Sequence, residues 1–407
     1  MSTSVPKSVI IVGGSLAGLS HALVLLSLPT PPTSITILER SPSELLHNQG
    51  AGIVASPDVL AFFAEYVRAG RDIAITSPMR HYLDHAGKVI ERSVEKRAQR
   101  MTSWDLLYHL LRWRVEGMQS EYVAGLQSDQ RPHAEYRNGC SVTAIESTAS
   151  GVHLSWNDTV RGPQTADVDL VIAADGGSST VRRLLHPDTK RTYVGYVAWR
   201  GTVPETELSA PATEVFSEKF TFFHSDGNQI LGYLIPGENG TLEPGKRLFN
   251  YVWYCNYPDH SPDLEELMTD TNGKRHAITL PVGTMSPSVW RKQQEYAKKV
   301  LPPQYAEAVE KTQQPFIQAV TDVITPTNSF LDGKVILVGD ALAGFRPHTA
   351  ASTGQACFDA LRLGEWLGGK IDRAQYDEKV LEFSRRVQAL GVELGERSQF
   401  GKHPLAG

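Results

Sequence analysis

Cysteine is scarce in this chain. Cys140, Cys255 and Cys357 are the only three in 407 residues, far apart and without a C-x-x-C pair. That excludes a disulfide scaffold or a zinc ribbon and predicts a reducing, cytoplasmic setting. Charge of one sign is lacking too: 40 basic against 45 acidic side chains leave a formal −5. No footprint for nucleic acid or an anionic membrane surface follows from such a balance. Long hydrophobic runs are missing. The greasiest stretch, around residues 23–28, is far shorter than the ~20 residues that span a bilayer. Lys7 precedes apolar residues at the N-terminus, but glycine, serine and histidine interrupt them and no small-residue cleavage site follows, so a signal peptide is not expected. Internal repeats are absent as well. What is present is ordinary globular composition, 41% apolar and 21% charged, in a chain long enough for two or three domains.

The pattern along the chain begins with a buried strand at 8–12, a glycine turn and a helix over about 17–28, which the Pro29–Pro32 turn ends. A β-branched strand, 34–38, then delivers Glu39, completing a βαβ unit. An amphipathic helix is expected over about 103–118, strands near 142–146 and 152–156, and a buried run at 170–174. Residues 190–256 read mostly as β, with strands at 194–203, 216–223, 229–235 and 248–255. Residues 261–321 read as helix and loop, and 334–338 as a further buried strand. In the tail, Tyr376, Val380, Phe383, Val387, Leu390 and Leu394 alternate at four and three, one apolar face of a long helix.

Three motifs carry chemistry. Gly13-Gly14-Ser15-Leu16-Ala17-Gly18 follows a strand and opens a helix, approximating G-x-G-x-x-G with Ser15 at the second glycine. Gly13 permits the sharp turn, Gly18 permits close helix–strand packing, and the helix-start N–H groups can hold a pyrophosphate. Glu39, 21 residues after Gly18, stands where a carboxylate meets a ribose hydroxyl, with Arg40 beside it. The second motif runs from Asp169 through Ala174-Asp175-Gly176 to Ser179, Val181 and Arg182. The third is Gly339-Asp340-Ala341, followed by Pro347.

In this order and at these separations the motifs resemble the single-component flavin-dependent aromatic hydroxylases, the 4-hydroxybenzoate hydroxylase class. The family's A-D-G-x-x-S-x-V-R and G-D-A-x-x-x-x-x-P signatures are both matched, and the resemblance extends over nearly the whole chain. Residues 50–60, 193–201 and 339–348 look most like the branch of 2,6-dihydroxypyridine 3-monooxygenase and salicylate-hydroxylase-like enzymes. Departures are Ser15, Ala343, Ala350 and Ser352 at positions where many members have other residues, and Trp104 in place of an arginine that contacts FAD. Arg100, read as one helical turn earlier, is the substitute contact.

The resemblance implies an α/β fold: a Rossmann-like FAD-binding domain with an inserted β-rich substrate domain and C-terminal helices. Its parts are expected at 1–80, 100–190 and 331–368 for FAD, 81–99 and 191–275 for substrate, 276–330 as connection and 369–407 as tail. It implies FAD as cofactor, NADH or NADPH as co-substrate, and no metal. The reaction implied is hydroxylation of a phenolic or hydroxypyridine-type ring by O2 through a flavin C4a-hydroperoxide, with or without decarboxylation of a hydroxybenzoate. FAD contacts carry over to Gly13, Ser15, Leu16, Gly18, Glu39, Arg40, Ile53, Arg100, Asp175, Arg182, Asp340, Pro347 and Ala350, with Asp175 and Arg182 serving nicotinamide as well. The partners implied are a small aromatic substrate and O2, with a homodimer left open.

Three residues are candidates for catalysis. His348 could relay a proton or touch substrate, or only cap the following helix. Arg200 could hold a carboxylate or an anionic ring oxygen, or form a structural ion pair. Tyr233 could bond a phenolic oxygen, or serve as packing. Two other functions stay open: an oxidase or reductase of the same fold, and a degenerate FAD-binding sensor.

Overall fold

The computed structural model describes residues 5–46, 52–127 and 134–401. Its first layer is a six-stranded sheet in the order Ser329–Phe330, Val335–Leu337, Leu170–Ala173, Ser8–Val12, Ser34–Leu38, Glu135–Arg137. The last five run parallel and the first is antiparallel. Parallel strands are covered on both faces, which is why these segments are continuous apolar runs such as Val9–Val12 and Leu170–Ala173. The helices Leu16–Leu26, Trp104–Glu116 and Ser352–Leu367 pack around them through Leu19, Leu23, Leu107, Leu111, Cys357 and Leu363.

All three motifs and Glu39 leave this sheet at the carboxyl ends of adjacent strands. The ladder continues one rung beyond the strands, with Gly13 N donating to Leu38 O, Ala174 N to Val12 O, and Val338 N to Ala173 O. Segments more than 300 residues apart thus meet along one sheet edge, where open α/β sheets bind ligands.

A nine-stranded sheet forms the second layer: Ala343–Gly344, Phe316–Ile324, Thr192–Pro204, Leu248–Asn256, Asn228–Ile235, Lys219–Ser225, Ile75–Leu83, Val89–Ser103 and Gly52–Val54. It is antiparallel except where Lys219–Ser225 runs parallel to Ile75–Leu83. Alternation decides which side chains face which way. On one face Val197, Trp199, Phe249, Tyr251 and Trp253 pack onto the helices Pro287–Val300 and Pro303–Lys311. The intervening residues, among them Tyr196, Ala198, Phe222, Tyr233, Val252 and Tyr254, form a separate cluster on the opposite face, toward the first layer.

Several sequence expectations are corrected. The strand Phe316–Ile324 begins within the stretch expected as helix and loop, and it pairs with Thr192–Pro204 inside the large sheet. Phe216 ends a short helix, Ala210–Phe216, instead of starting a strand; the strand begins at Lys219. Pro211 near the helix start and the Ser209 side-chain cap on Ala212 N explain that helix. The tail forms one helix, Arg373–Gln399, but its buried stripe runs Tyr376, Val380, Ser384, Val387, Gly391, Gly395. Leu390 is 46% exposed. The apolar spacing located the helix, whereas close packing of the chain against it selected glycines.

Candidate active site

Between the layers lies a cavity of about 700 Å³. One wall is the edge where the motifs converge, with Ser15, Leu16, Ala17, Ala174, Gly176 and Asp340. The other is the inner face of the large sheet. Arg200, Tyr233, Tyr254, Phe222, Leu231 and Gln318 reach it from neighbouring strands at every second position. The segment 344–353 closes one side.

Two helices start at this cavity. The turn before Leu16–Leu26 depends on Gly13, whose φ of +106° is left-handed and whose added Cβ would lie 2.3 Å from Ala174 O. A Cβ at Gly18 would lie 1.9 Å from Gly13 O. Leu16 and Ala17, in the first turn of this helix, border the cavity, and a helix start with its free N–H groups is an anion-favouring end. Gly13→Ala is therefore expected to destabilise the FAD-free protein by about 3 kcal/mol or more, from strain and clash together. Urea unfolding checks this; a loss within experimental scatter would contradict it.

Glu39 braces the same turn: one carboxylate oxygen accepts from Gly14 N at 2.9 Å and the other from Ser41 N at 2.7 Å. Arg40 is exposed and does not border the cavity. Asp175 caps the helix Thr180–Leu185, accepting from Thr180 N, Val181 N and Ser179 Oγ. Burial raises its pKa. Arg182, buried beneath, donates to Ala341 O at 2.7 Å and to Gly177 O. Asp175 thus holds the second motif together, and Arg182 ties it to the third from behind the cavity wall. Arg100 stands on the strand Val89–Ser103, not on a helix; it donates to Ala74 O at 3.2 Å and faces Asp72 at 3.9 Å. It is outside the cavity, whereas Trp104 lines it and stacks on Tyr108 at 4.5 Å.

Asp340 does reach the cavity. Its Oδ1 is buried without a partner, and burial raises its pKa against a hydrogen bond from Ser352 and the charges of Arg191 and Arg182. A buried carboxylate oxygen facing a cavity is costly unless a donor meets it there. Ala350 also borders the cavity, holding φ +50° just before the helix Ser352–Leu367. Ile53 and Pro347 line the cavity too.

The three catalytic candidates all open onto the same space. Arg200 Nε is buried without a partner, and among the described residues the guanidinium has no ion pair, only the Phe316 ring at 5.7 Å. The structural ion pair considered for it is absent there. Tyr233 is buried, its pKa pushed up to about 12 by burial, against the Arg200 charge and an Asn250 hydrogen bond. His348 lies on Tyr254 with ring centroids 4.1 Å apart, and its Nε2 is 3.1 Å from Tyr196 Oη. Burial, assisted by the Arg346 charge, lowers its pKa to about 3. The ring is therefore neutral at physiological pH.

Two residues escaped the sequence reading. Arg191 borders the cavity, held by Thr321 Oγ1 at 2.6 Å and Ser178 Oγ at 3.0 Å. Tyr136 donates to Gly14 O at 3.0 Å, beneath the glycine turn, with the Arg112 guanidinium 3.7 Å from its ring centroid. Neither belongs to a local motif, so only the tertiary arrangement exposes them. His81 and His85 are spaced H-x-x-x-H, but on a strand and the turn after it. Among the described residues no three ligand side chains cluster as a metal site, and no helix is long and apolar enough to cross a membrane.

Residues 193–322 match the family model described as FAD binding domain-like. The chain is 31% identical over 355 residues to 2,6-dihydroxypyridine 3-monooxygenase of Paenarthrobacter nicotinovorans, covering 87% of this chain and 81% of that one. The solved structure of 2,6-dihydroxypyridine-3-hydroxylase from Arthrobacter nicotinovorans superposes with a TM-score of 0.83 at 26% identity, covering 100% of this chain and 98% of the other. Klebsiella pneumoniae HpxO, solved with FAD and uric acid, shares the fold with a TM-score of 0.69 at 18% identity, over 98% and 89% of the two chains.

Proposed function

The chain belongs to the FAD-dependent aromatic monooxygenases, and on that premise we propose that it hydroxylates an anionic phenolic or hydroxypyridine-type ring held against Arg200. FAD is the cofactor, and NAD(P)H dependence is typical of the family. The cavity fits FAD on its own terms: helix starts suit the pyrophosphate, and the orphaned Asp340 oxygen suits a ribityl hydroxyl. Leu16 and Ala17 would hold the pyrophosphate through backbone N–H groups, Glu39 the ribose, and the helix start after Ala350 the electron-rich edge of the ring. Bound FAD supplies hydride acceptance and oxygen activation.

The remaining work falls to side chains of the large sheet. The observation that carries the substrate assignment is the unpaired Arg200 guanidinium on the cavity wall. A ring hydroxyl that loses its proton beside it becomes a bound oxyanion, and the ring becomes richer in electrons for attack on oxygen. Tyr233, held neutral by its raised pKa, offers a hydroxyl donor to a ring oxygen or nitrogen. The neutral His348 imidazole either donates from Nε2 to Tyr196 Oη, leaving Nδ1 an acceptor, or accepts there and carries its proton on Nδ1, and a switch between these tautomers can move a proton without charging the ring. Apolar Phe222, Leu231 and Val252 exclude water from the reacting atoms.

Hydroxypyridines and hydroxybenzoates screened for stimulated NADH and NADPH oxidation test this reading. A hydroxylated product is expected, and released CO2 identifies decarboxylative hydroxylation. Stimulation that yields only hydrogen peroxide contradicts the proposal. The buried free cysteines suit a reducing compartment, and we place the enzyme in the cytoplasm on that ground.

The His348 pKa sets a pH expectation. The folded value of about 3 lies below the ordinary 6.5, so its contribution to stability is complete above the unfolded pKa and is lost as pH falls toward the folded one. Turnover accordingly shows no limb from His348 between about pH 5 and about pH 9. A limb near the ordinary histidine value that disappears in His348→Gln would contradict this assignment.

A further inference from the structure

We propose that Arg346 and Gly395 are positioning residues that latch His348 to the C-terminal helix, so that this helix governs the coupling of oxygen to substrate. The inference rests on the reading above that His348 acts at the substrate.

Arg346 precedes Pro347-His348 and is only 5% exposed. Its guanidinium binds two other elements. Asp322, on the strand Phe316–Ile324, accepts from Nε at 3.0 Å and from Nη2 at 2.7 Å. Glu396, on the helix Arg373–Gln399, accepts from Nη1 at 2.8 Å. Two bonds to one planar carboxylate fix the plane of the fork, and the third fixes its rotation. Tyr196, the partner of His348, lies beside the same guanidinium, 5.9 Å from ring centroid to Cζ.

The helix supplies the room for this packing. A Cβ at Gly395 would stand 2.5 Å from Tyr196 Oη and 2.9 Å from both Cδ and Nη1 of Arg346. One turn earlier, a Cβ at Gly391 would stand 3.5 Å from Thr349 Cγ2 and 3.7 Å from Arg346 Cβ. Glycine in a helix interior is unfavourable by about 1 kcal/mol relative to alanine, so its presence here reflects close approach. Gly395 is where the helix leaves space for the Tyr196 hydroxyl to meet His348. Both ring contacts of His348 are then set: Tyr254 below its face and Tyr196 at Nε2. The expected result of loosening this latch is a misplaced imidazole, with the FAD contacts of the parallel-sheet edge left alone.

The test uses FAD-loaded Gly395→Ala and Arg346→Lys, each with and without His348→Ala. Product formed per NAD(P)H oxidised is measured together with FAD dissociation constants. Labelled-histidine NMR follows the His348 imidazole, assigned by its loss in His348→Ala. Each latch variant is expected to lower coupling about threefold or more, to move the His348 resonance, and to leave FAD affinity within about twofold. In the His348→Ala background no further loss is expected, because the latch acts through that residue. Should Gly395→Ala fail to fold, Arg346→Lys carries the same comparison. An unmoved His348 resonance, unchanged coupling, or losses that multiply fully in the double variants would overturn the latch. If His348→Ala alone remains fully coupled, the catalytic reading of His348 falls, and the resonance alone decides whether the latch holds.

Discussion

Asp340→Ala weakens FAD binding by about 10- to 100-fold while leaving the FAD-free protein at least as stable near neutral pH. The argument starts from the orphaned Oδ1, a buried acceptor facing the cavity. A hydroxyl donor reaching an ionised buried acceptor contributes about 1.5–3 kcal/mol, and its loss sets the expected weakening. Stability moves the other way because burial raises this carboxyl pKa. A raised carboxyl pKa means a contribution present below the unfolded pKa and lost as pH rises through the folded one. Near neutrality the native Asp340 therefore detracts from the FAD-free fold, and alanine removes that cost. Fluorescence-quenching titration with FAD and urea unfolding of the apoprotein check the two halves. FAD affinity within about twofold of wild type would remove Asp340 from the cofactor contacts.

Arg200→Met loses about 100- to 1,000-fold in kcat/KM with FAD affinity unchanged, a result expected from losing one charge-assisted contact to a desolvated oxyanion. Methionine keeps an unbranched apolar stem while deleting the guanidinium, and with it the contact over the Phe316 ring. Arg200→Lys should recover only part of the loss, because a point charge does not replace the planar fork. With substrates whose ring hydroxyl is methylated, wild type and variant should converge. Steady-state kinetics on the substrate identified by the screen measure the difference. Equal kcat/KM in wild type and Arg200→Met would contradict an anionic ring at this position.

Four strands of the parallel sheet were legible because each is a short apolar run leading into a glycine or an acidic residue, whereas the polar three-residue strand Glu135–Arg137 carries no such signal. Strands 8–12, 34–38 and 170–174 fall within a residue of their expected limits. The convergence of residues 13, 175 and 340 was legible only through the resemblance, since nothing local brings together segments so far apart. The strand Phe316–Ile324 was missed because its polar residues, Gln318, Thr321 and Asp322, interrupt the β pattern; Gln318 and Thr321 line the cavity and Asp322 pairs with Arg346. Arg100 lies on a strand because Ser103 both ends that strand and caps the following helix, a boundary that the apolar spacing of the helix does not mark. Gly391 and Gly395 are not legible in the sequence, because close packing of backbone and side chains leaves no apolar signal.

Arg191 shows the same limit from the cavity side. Its partners, Thr321 and Ser178, come from a strand and a turn on different layers. Its charge lies near Asp340, which it helps to keep from rising further in pKa. No spacing along the chain announces such a residue; the meeting of the two layers does.

The central claim is that one cavity joins the flavin edge of the parallel sheet to an anionic ring held by Arg200, and that oxygen passes between them. Turnover of the stimulating hydroxypyridine or hydroxybenzoate under oxygen-18-labelled O2, with mass spectrometry of the product, tests it most directly. The account predicts one labelled oxygen atom per product ring and none from labelled water. Product carrying oxygen from water, or substrate oxidised without oxygen gained, would contradict it.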